Sequence, residues 1–205
     1  MLDRLRARLE SNFQSVGKWF AHLESSPTAW TIVGLLISIL AAAAYSTSDF
    51  RGEVVGGLLV LVAGWFDIVD GAVARVTGRT SRRGAFLDST LDRVAEVAIF
   101  AGILLGGYSP PILLLLALSF SLLVSYTRAK GDALGVALSG VGIGERSERL
   151  LILAILSIAG LAYWGVLLVL IVAFYTFLER TIRAMRSLKG RNGWPTSSQS
   201  RTPHP

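Results

Sequence analysis

The chain has 205 residues, 52% of them hydrophobic and 17% charged, where a soluble domain carries about a quarter charged residues; the composition points to a membrane protein of one compact domain. Cysteine is absent, which excludes disulfides and thiolate metal sites and leaves carboxylates as the metal ligands to consider. The formal net charge is +6, but no RNA- or DNA-binding motif accompanies it, so no nucleic-acid partner is expected.

In chain order, residues 2–24 read as an amphipathic helix. Leu2, Leu5, Leu9, Phe13, Val16, Trp19, Phe20 and Leu23 recur at steps of mostly three and four, with Arg4, Arg6, Arg8 and Lys18 elsewhere on the helix. This suits an interfacial helix with its basic face toward anionic lipid, within a juxtamembrane segment 1–25. Ser26 is a candidate N-cap with Pro27 next to it, opening a membrane domain over 26–189. Six apolar segments follow, at about 29–45, 54–74, 84–107, 112–130, 147–163 and 165–183, each near the roughly 20 residues a span requires. The expected fold is therefore all-α: a polytopic membrane protein with six transmembrane helices and an N-terminal interfacial helix. The tail 190–205, rich in Ser, Thr, Pro, Gly and Arg, has little to bury and is expected to be disordered.

Basic residues set the orientation. They gather in the N-terminal segment and the second-to-third connection (Arg75, Arg79, Arg82, Arg83). They recur in the fourth-to-fifth connection (Arg128, Lys130, Arg146, Arg149) and at the C-terminal end, whereas the opposite loops hold only Arg51. By the positive-inside rule both termini and residues 67–92 face the cytoplasm of a multi-pass cell-membrane protein.

Residues 67–92 carry the chemistry. Asp67 and Asp70 are three apart, and Asp88 and Asp92 four apart; on helices each pair shares a face. The two helices are joined by a short loop, so their acidic ends meet at one membrane surface. Charged residues at membrane depth are costly and mark a functional site by default. Four facing carboxylates need neutralising, and an all-oxygen ligand set selects hard cations such as Mg²⁺, Mn²⁺ or Ca²⁺. Two such ions would make a site of the kind used on phosphates. Gly71 and Gly84 remove side chains beside the acids, and Arg75 stands one turn beyond them, able to hold a phosphate oxygen. The plain alternative is a set of inter-helix salt bridges to Arg75 and Arg93. A non-enzymatic alternative, a divalent-cation transporter, calls for acids near mid-bilayer in more than two helices.

The pattern D-x2-D-G-x2-A-R-x8-G-x3-D-x3-D, filled at every position by Asp67, Asp70, Gly71, Ala74, Arg75, Gly84, Asp88 and Asp92, resembles the signature of the CDP-alcohol phosphotransferases. Pro27-Thr28-Ala29-Trp30-Thr31 is similar to that family's Pro-Asn-x-(Leu/Ile)-Thr opening of the first span, with Thr28 in place of asparagine and Trp30 in place of the aliphatic residue. The resemblance implies displacement of CMP from a CDP-linked lipid by an alcohol hydroxyl, with two divalent ions, Mg²⁺ or Mn²⁺. Asp67, Asp70, Asp88 and Asp92 would be the metal ligands, and Asp92 also the general base. Asp67, Gly71, Ala74 and Arg75 would line the CDP-lipid pocket. A homodimer is implied as well.

The alcohol is addressed by later residues. Arg128, Lys130, Arg146 and Arg149 cluster on the cytoplasmic face and suit a phosphorylated acceptor; the plain alternative is topology plus helical pairs such as Glu145–Arg149. Ser125-Tyr126-Thr127-Arg128-Ala129-Lys130 and Gly142-Ile143-Gly144-Glu145-Arg146-Ser147-Glu148-Arg149 resemble the inositol-phosphate branch of the family. By that resemblance Ser125, Arg128, Arg146 or Arg149, and Arg180 or Arg183 would hold the acceptor phosphate. The implied acceptor is inositol 3-phosphate, with glycerol 3-phosphate as the alternative phosphorylated polyol.

Overall fold

A computed structural model of the protein describes residues 17–23 and 26–189. Most of the predicted amphipathic stretch 2–24 and the tail 190–205 lie outside these residues. The described residues are all-helical: a short helix over 17–23, then α1 (Pro27–Tyr45), α2 (Phe50–Thr77), α3 (Arg82–Leu105), α4 (Pro111–Ala133), α5 (Arg146–Ile158) and α6 (Ala162–Lys189).

The helix starts follow local chemistry. Pro27 and Pro111 occupy first-turn positions of α1 and α4, where a missing N–H costs nothing. Asp49 and Ser81 cap α2 and α3 by accepting the Gly52 and Gly84 N–H groups at 2.7 and 3.0 Å. Ser26 does sit at the N-cap of α1, but its side chain makes no capping bond. The Ala162 N–H that opens α6 donates to Glu53 Oε1 on α2 at 2.6 Å.

Four helices, α1, α2, α4 and α6, are long and apolar enough to cross a membrane. The third predicted span, α3, has the length but carries Arg82, Arg83, Asp88, Asp92, Arg93 and Glu96. The fifth differs most from the sequence expectation of 147–163. It ends at Ile158, because the chain turns through Gly160 at φ 73°, and its 13 residues reach about 20 Å of the roughly 30 Å hydrocarbon core.

α1 packs on α2 and α3, α5 on α2 and α6, and α4 on α6 and α3. One apolar core joins them through Ala41, Val60, Ile99, Ile103, Leu114, Leu153 and Val166. Two glycines permit the closest approaches: a Cβ on Gly102 would collide with the Ala42 backbone of α1, and one on Gly57 would stand 2.8 Å from the Ala154 carbonyl oxygen of α5. The loop after α4 turns through Gly135, Gly140 and Gly142, all at positive φ. It seats Val136, Leu138 and Val141 against Ala184 and Leu188 near the end of α6. The helix over 17–23 lies on the last turns of α2: a Cβ on Gly17 would stand 2.9 Å from the Ala72 carbonyl oxygen, and Phe20 meets Trp30 edge-on at 5.0 Å.

Candidate active site

The end of α2 and the start of α3 run alongside α1, and their acids converge. One carboxylate oxygen each from Asp67, Asp70 and Asp88 lies within 4.8 Å of the others. Asp70 is 7% exposed and accepts the Thr31 hydroxyl from α1 at 2.8 Å. Asp92 stands on the other flank. Its Oδ1 meets Arg146 Nη1 at 2.8 Å, and the same nitrogen is 3.2 Å from Asp67 Oδ1. Its Oδ2 meets Arg93 Nη1 at 3.2 Å, and that nitrogen also donates to the Ser89 carbonyl.

These residues suit hard cations. Arg146 and Arg93 bring two positive charges to four carboxylates, which leaves an excess of negative charge at low dielectric. Asp88 Oδ1 is buried with no hydrogen-bond partner, a costly state that a ligated ion relieves. Asp92 faces the arginines and is not part of the closest trio.

Besides a space of about 20 Å³ lined by Thr31, Asp67, Asp70, Asp92 and Arg146, two sizeable cavities open beside this cluster. The smaller, about 170 Å³, is lined by Pro27, Thr28 and Thr31 of α1, by Asp70, Gly71 and Ala74 of α2, and by Arg79, Thr80, Ser81, Gly84, Ala85 and Asp88. A Cβ on Gly71 would meet nothing nearer than the Arg75 guanidinium at 3.5 Å. The bare face of this glycine therefore opens on the cavity rather than on a packed helix. Arg75 itself is exposed beside it. The larger cavity, about 650 Å³, lies between α2, α3, α4, α5 and α6. Its wall includes Asp67, Asp88 and Asp92 on one side and Ser125, Arg128, Arg146, Arg149 and Arg180 on the other. Asp88 borders both spaces.

Each residue predicted for the acceptor can now be located. Ser125 is half-buried on the cavity wall, and Arg128 is exposed there. Arg180 is 2% exposed and donates to the Val141 and Val124 carbonyls at 2.9 and 3.0 Å. Arg183, the other C-terminal candidate, is exposed and does not line the cavity. Arg149 is 1% exposed and does not pair with Glu145 one turn away. It bonds Glu96 of α3 at 3.0 Å and the Gly144 carbonyl at 2.7 Å, so its charge is neutralised inside the bundle. Arg146, predicted to bind the acceptor, stands on the same wall and pairs with Asp67 and Asp92, two of the acids expected to ligate metal.

Three residues with no functional role predicted from sequence join the network of the site: Thr31, Glu96 and Glu145. Glu96 carries a signal, since it continues the four-residue step of Asp88 and Asp92 along one face of α3. Thr31 and Glu145 are committed by long-range partners that spacing does not reveal.

The profile of the CDP-alcohol phosphatidyltransferase family matches residues 25–178. The archaetidylinositol phosphate synthase of Pyrococcus horikoshii is 35% identical over 92% of this chain and 99% of its own. The phosphatidylinositol phosphate synthase of Streptomyces avermitilis is 43% identical over 69% of this chain and 60% of its own. In fold, the chain is similar to the crystal structure of Mycobacterium tuberculosis phosphatidylinositol phosphate synthase with CDP-DAG bound, with a TM-score of 0.72 at 24% identity over 94% of this chain and 98% of that one. A crystal of that mycobacterial protein also holds manganese and citrate. With the signature acids gathered as described and the profile spanning all but the ends, this chain belongs to the CDP-alcohol phosphatidyltransferase family.

Proposed function

We propose that this protein transfers the phosphatidyl-type group of a CDP-linked lipid to the hydroxyl of inositol 3-phosphate, releasing CMP. The observation that carries the reading is one acid cluster bordered by two cavities of different character. The smaller, beside Gly71, Ala74 and Arg75, suits the CDP end of the donor. The larger, with Ser125, Arg128, Arg146 and Arg180 on its wall, suits a phosphorylated polyol. The names of the relatives, archaetidylinositol and phosphatidylinositol phosphate synthases, support the acceptor.

In this mechanism Asp67, Asp70, Asp88 and Asp92 would hold two divalent ions, Mg²⁺ or Mn²⁺, which when bound would neutralise the diphosphate and stabilise the leaving phosphate. Thr31 orients the Asp70 carboxylate through its 2.8 Å bond. Arg75 holds a donor phosphate oxygen. The acceptor oxygen attacks the phosphorus on the lipid side of the diphosphate, and the bond to CMP breaks. Asp92 takes the hydroxyl proton. Arg146, adjacent to Asp92, keeps that carboxylate aimed at the larger cavity.

We also propose that all six helices cross the membrane, with the loop before α5 completing the fifth passage. The acid cluster and both termini then lie on the cytoplasmic side, as the arginine and lysine distribution supports. A homodimer is the assembly that the family resemblance implies. Mass analysis of the lipid formed by the purified protein from CDP-archaeol or CDP-diacylglycerol tests the reaction. The expected product carries inositol phosphate when inositol 3-phosphate is supplied. A product formed with glycerol 3-phosphate alone overturns the acceptor, and CMP release with neither overturns the transfer.

A further inference from the structure

The cations on the wall of the larger cavity have separate partners. Arg149 holds Glu96, and Arg146 and Arg93 hold the catalytic acids. Arg128 and Arg180 share a carboxylate that belongs to neither group. Glu145 Oε1 lies 3.4 Å from Arg180 Nη2 and 3.8 Å from Arg128 Nη1, and it accepts the Gly140 N–H at 3.2 Å. Arg180 has little freedom, because Nε and Nη1 are fixed on the Val141 and Val124 carbonyls. Its Nη2 edge is the part left for an anion, and Glu145 occupies it. The Glu145 side chain is 37% exposed and can turn to water.

We propose that Glu145 is a built-in counter-anion standing where the acceptor's phosphate binds. A phosphate monoester displaces the carboxylate from Arg128 and Arg180, and this exchange selects phosphorylated acceptors over neutral polyols. The proposal rests on the acceptor site given above. While the cavity lacks an anion, the carboxylate spares buried Arg180 the cost of an unpaired charge. A monoester, with a charge of about −1.5 to −2 and three acceptor oxygens, out-competes one carboxylate. A neutral hydroxyl offers no charge with which to separate Glu145 from two guanidinium groups.

The test is steady-state kinetics of the full-length protein with its CDP-lipid. Acceptor KM is measured with inositol 3-phosphate, and Ki with inorganic phosphate as competitor. Glu145→Gln is expected to lower both about fivefold, the scale of one unit-charge contact in a solvated cleft, with kcat unchanged. Glu145 is also the N-cap of α5, and Glu145→Ser, which keeps a favoured residue at that position, is expected to do the same. Unchanged or raised KM in both variants, with or without a lower melting temperature, overturns the proposal. Arg128→Ala separates the two readings. If it raises KM and Ki while the Glu145 variants change neither, the acceptor site stands and the counter-anion is overturned. If it changes neither constant, the phosphate lies elsewhere and both readings fall.

Discussion

Asp92 is held by two arginines and faces the larger cavity, which suits a group that takes a proton from an incoming hydroxyl. Asp92→Asn keeps the shape and would remove the proposed base. Turnover measured by CMP release is expected to fall by about 10²–10⁴, while CDP-lipid binding, read by nucleotide protection, persists. Thr31 acts at one remove. Thr31→Val deletes the donor to Asp70 and is expected to weaken metal affinity by about 10–100-fold; the Mn²⁺ titration of activity shifts accordingly, and Thr31→Ser restores it. The four aspartates were legible at this scale, because three- and four-residue steps put them on facing helix sides and nothing apolar explains them. The partners of the arginines were not. Helical spacing offered Glu145 to Arg149, but a buried guanidinium takes the nearest carboxylate in the interior, and Glu96 on another helix is that carboxylate.

Among the elements, α5 depends most on such a contact. It is short, it begins after a glycine-rich loop, and Arg149 ties it to α3 through two side chains that are 1% and 0% exposed. Glu96→Gln leaves that guanidinium buried without its counter-charge. The expected cost is about 3–5 kcal/mol, read as a lower unfolding temperature in detergent. Glu96→Leu combined with Arg149→Met is expected to recover much of the loss, since an apolar pair of similar volume avoids the desolvation penalty. The helical nature and order of the six elements were legible from apolar run length and, for the first, from Ser26 and Pro27 at its start. The true extent of α5 was not, because apolar residues continue past Ile158 and only the left-handed turn at Gly160 ends the helix.

For the molecule as a whole, the acid cluster, the proposed reactive centre, is also a source of repulsion between α2 and α3. Chelation is expected to abolish turnover. Mn²⁺ or Mg²⁺ at about 100 times its dissociation constant is expected to stabilise the fold by about 2.7 kcal/mol, seen as a rise in melting temperature that Asp88→Asn loses. The four spanning-length apolar helices were legible because a bilayer imposes run length. The division into two cavities was not, because α1 closes one side of the acidic pair while α4, α5 and α6 wall the other.

Those two cavities meet at Asp88, with α1 closing one and α4, α5 and α6 the other, so the proposed donor and acceptor would have separate places beside one acid cluster. Such a layout calls for a ternary complex, with initial-rate lines that intersect instead of running parallel. It also fixes handedness. Nucleophile and leaving group occupy opposite faces of one phosphorus in a single displacement. A donor made chiral there by sulfur substitution is therefore expected to yield product of inverted configuration, and retention would mean that the protein itself had carried the lipid phosphate in between.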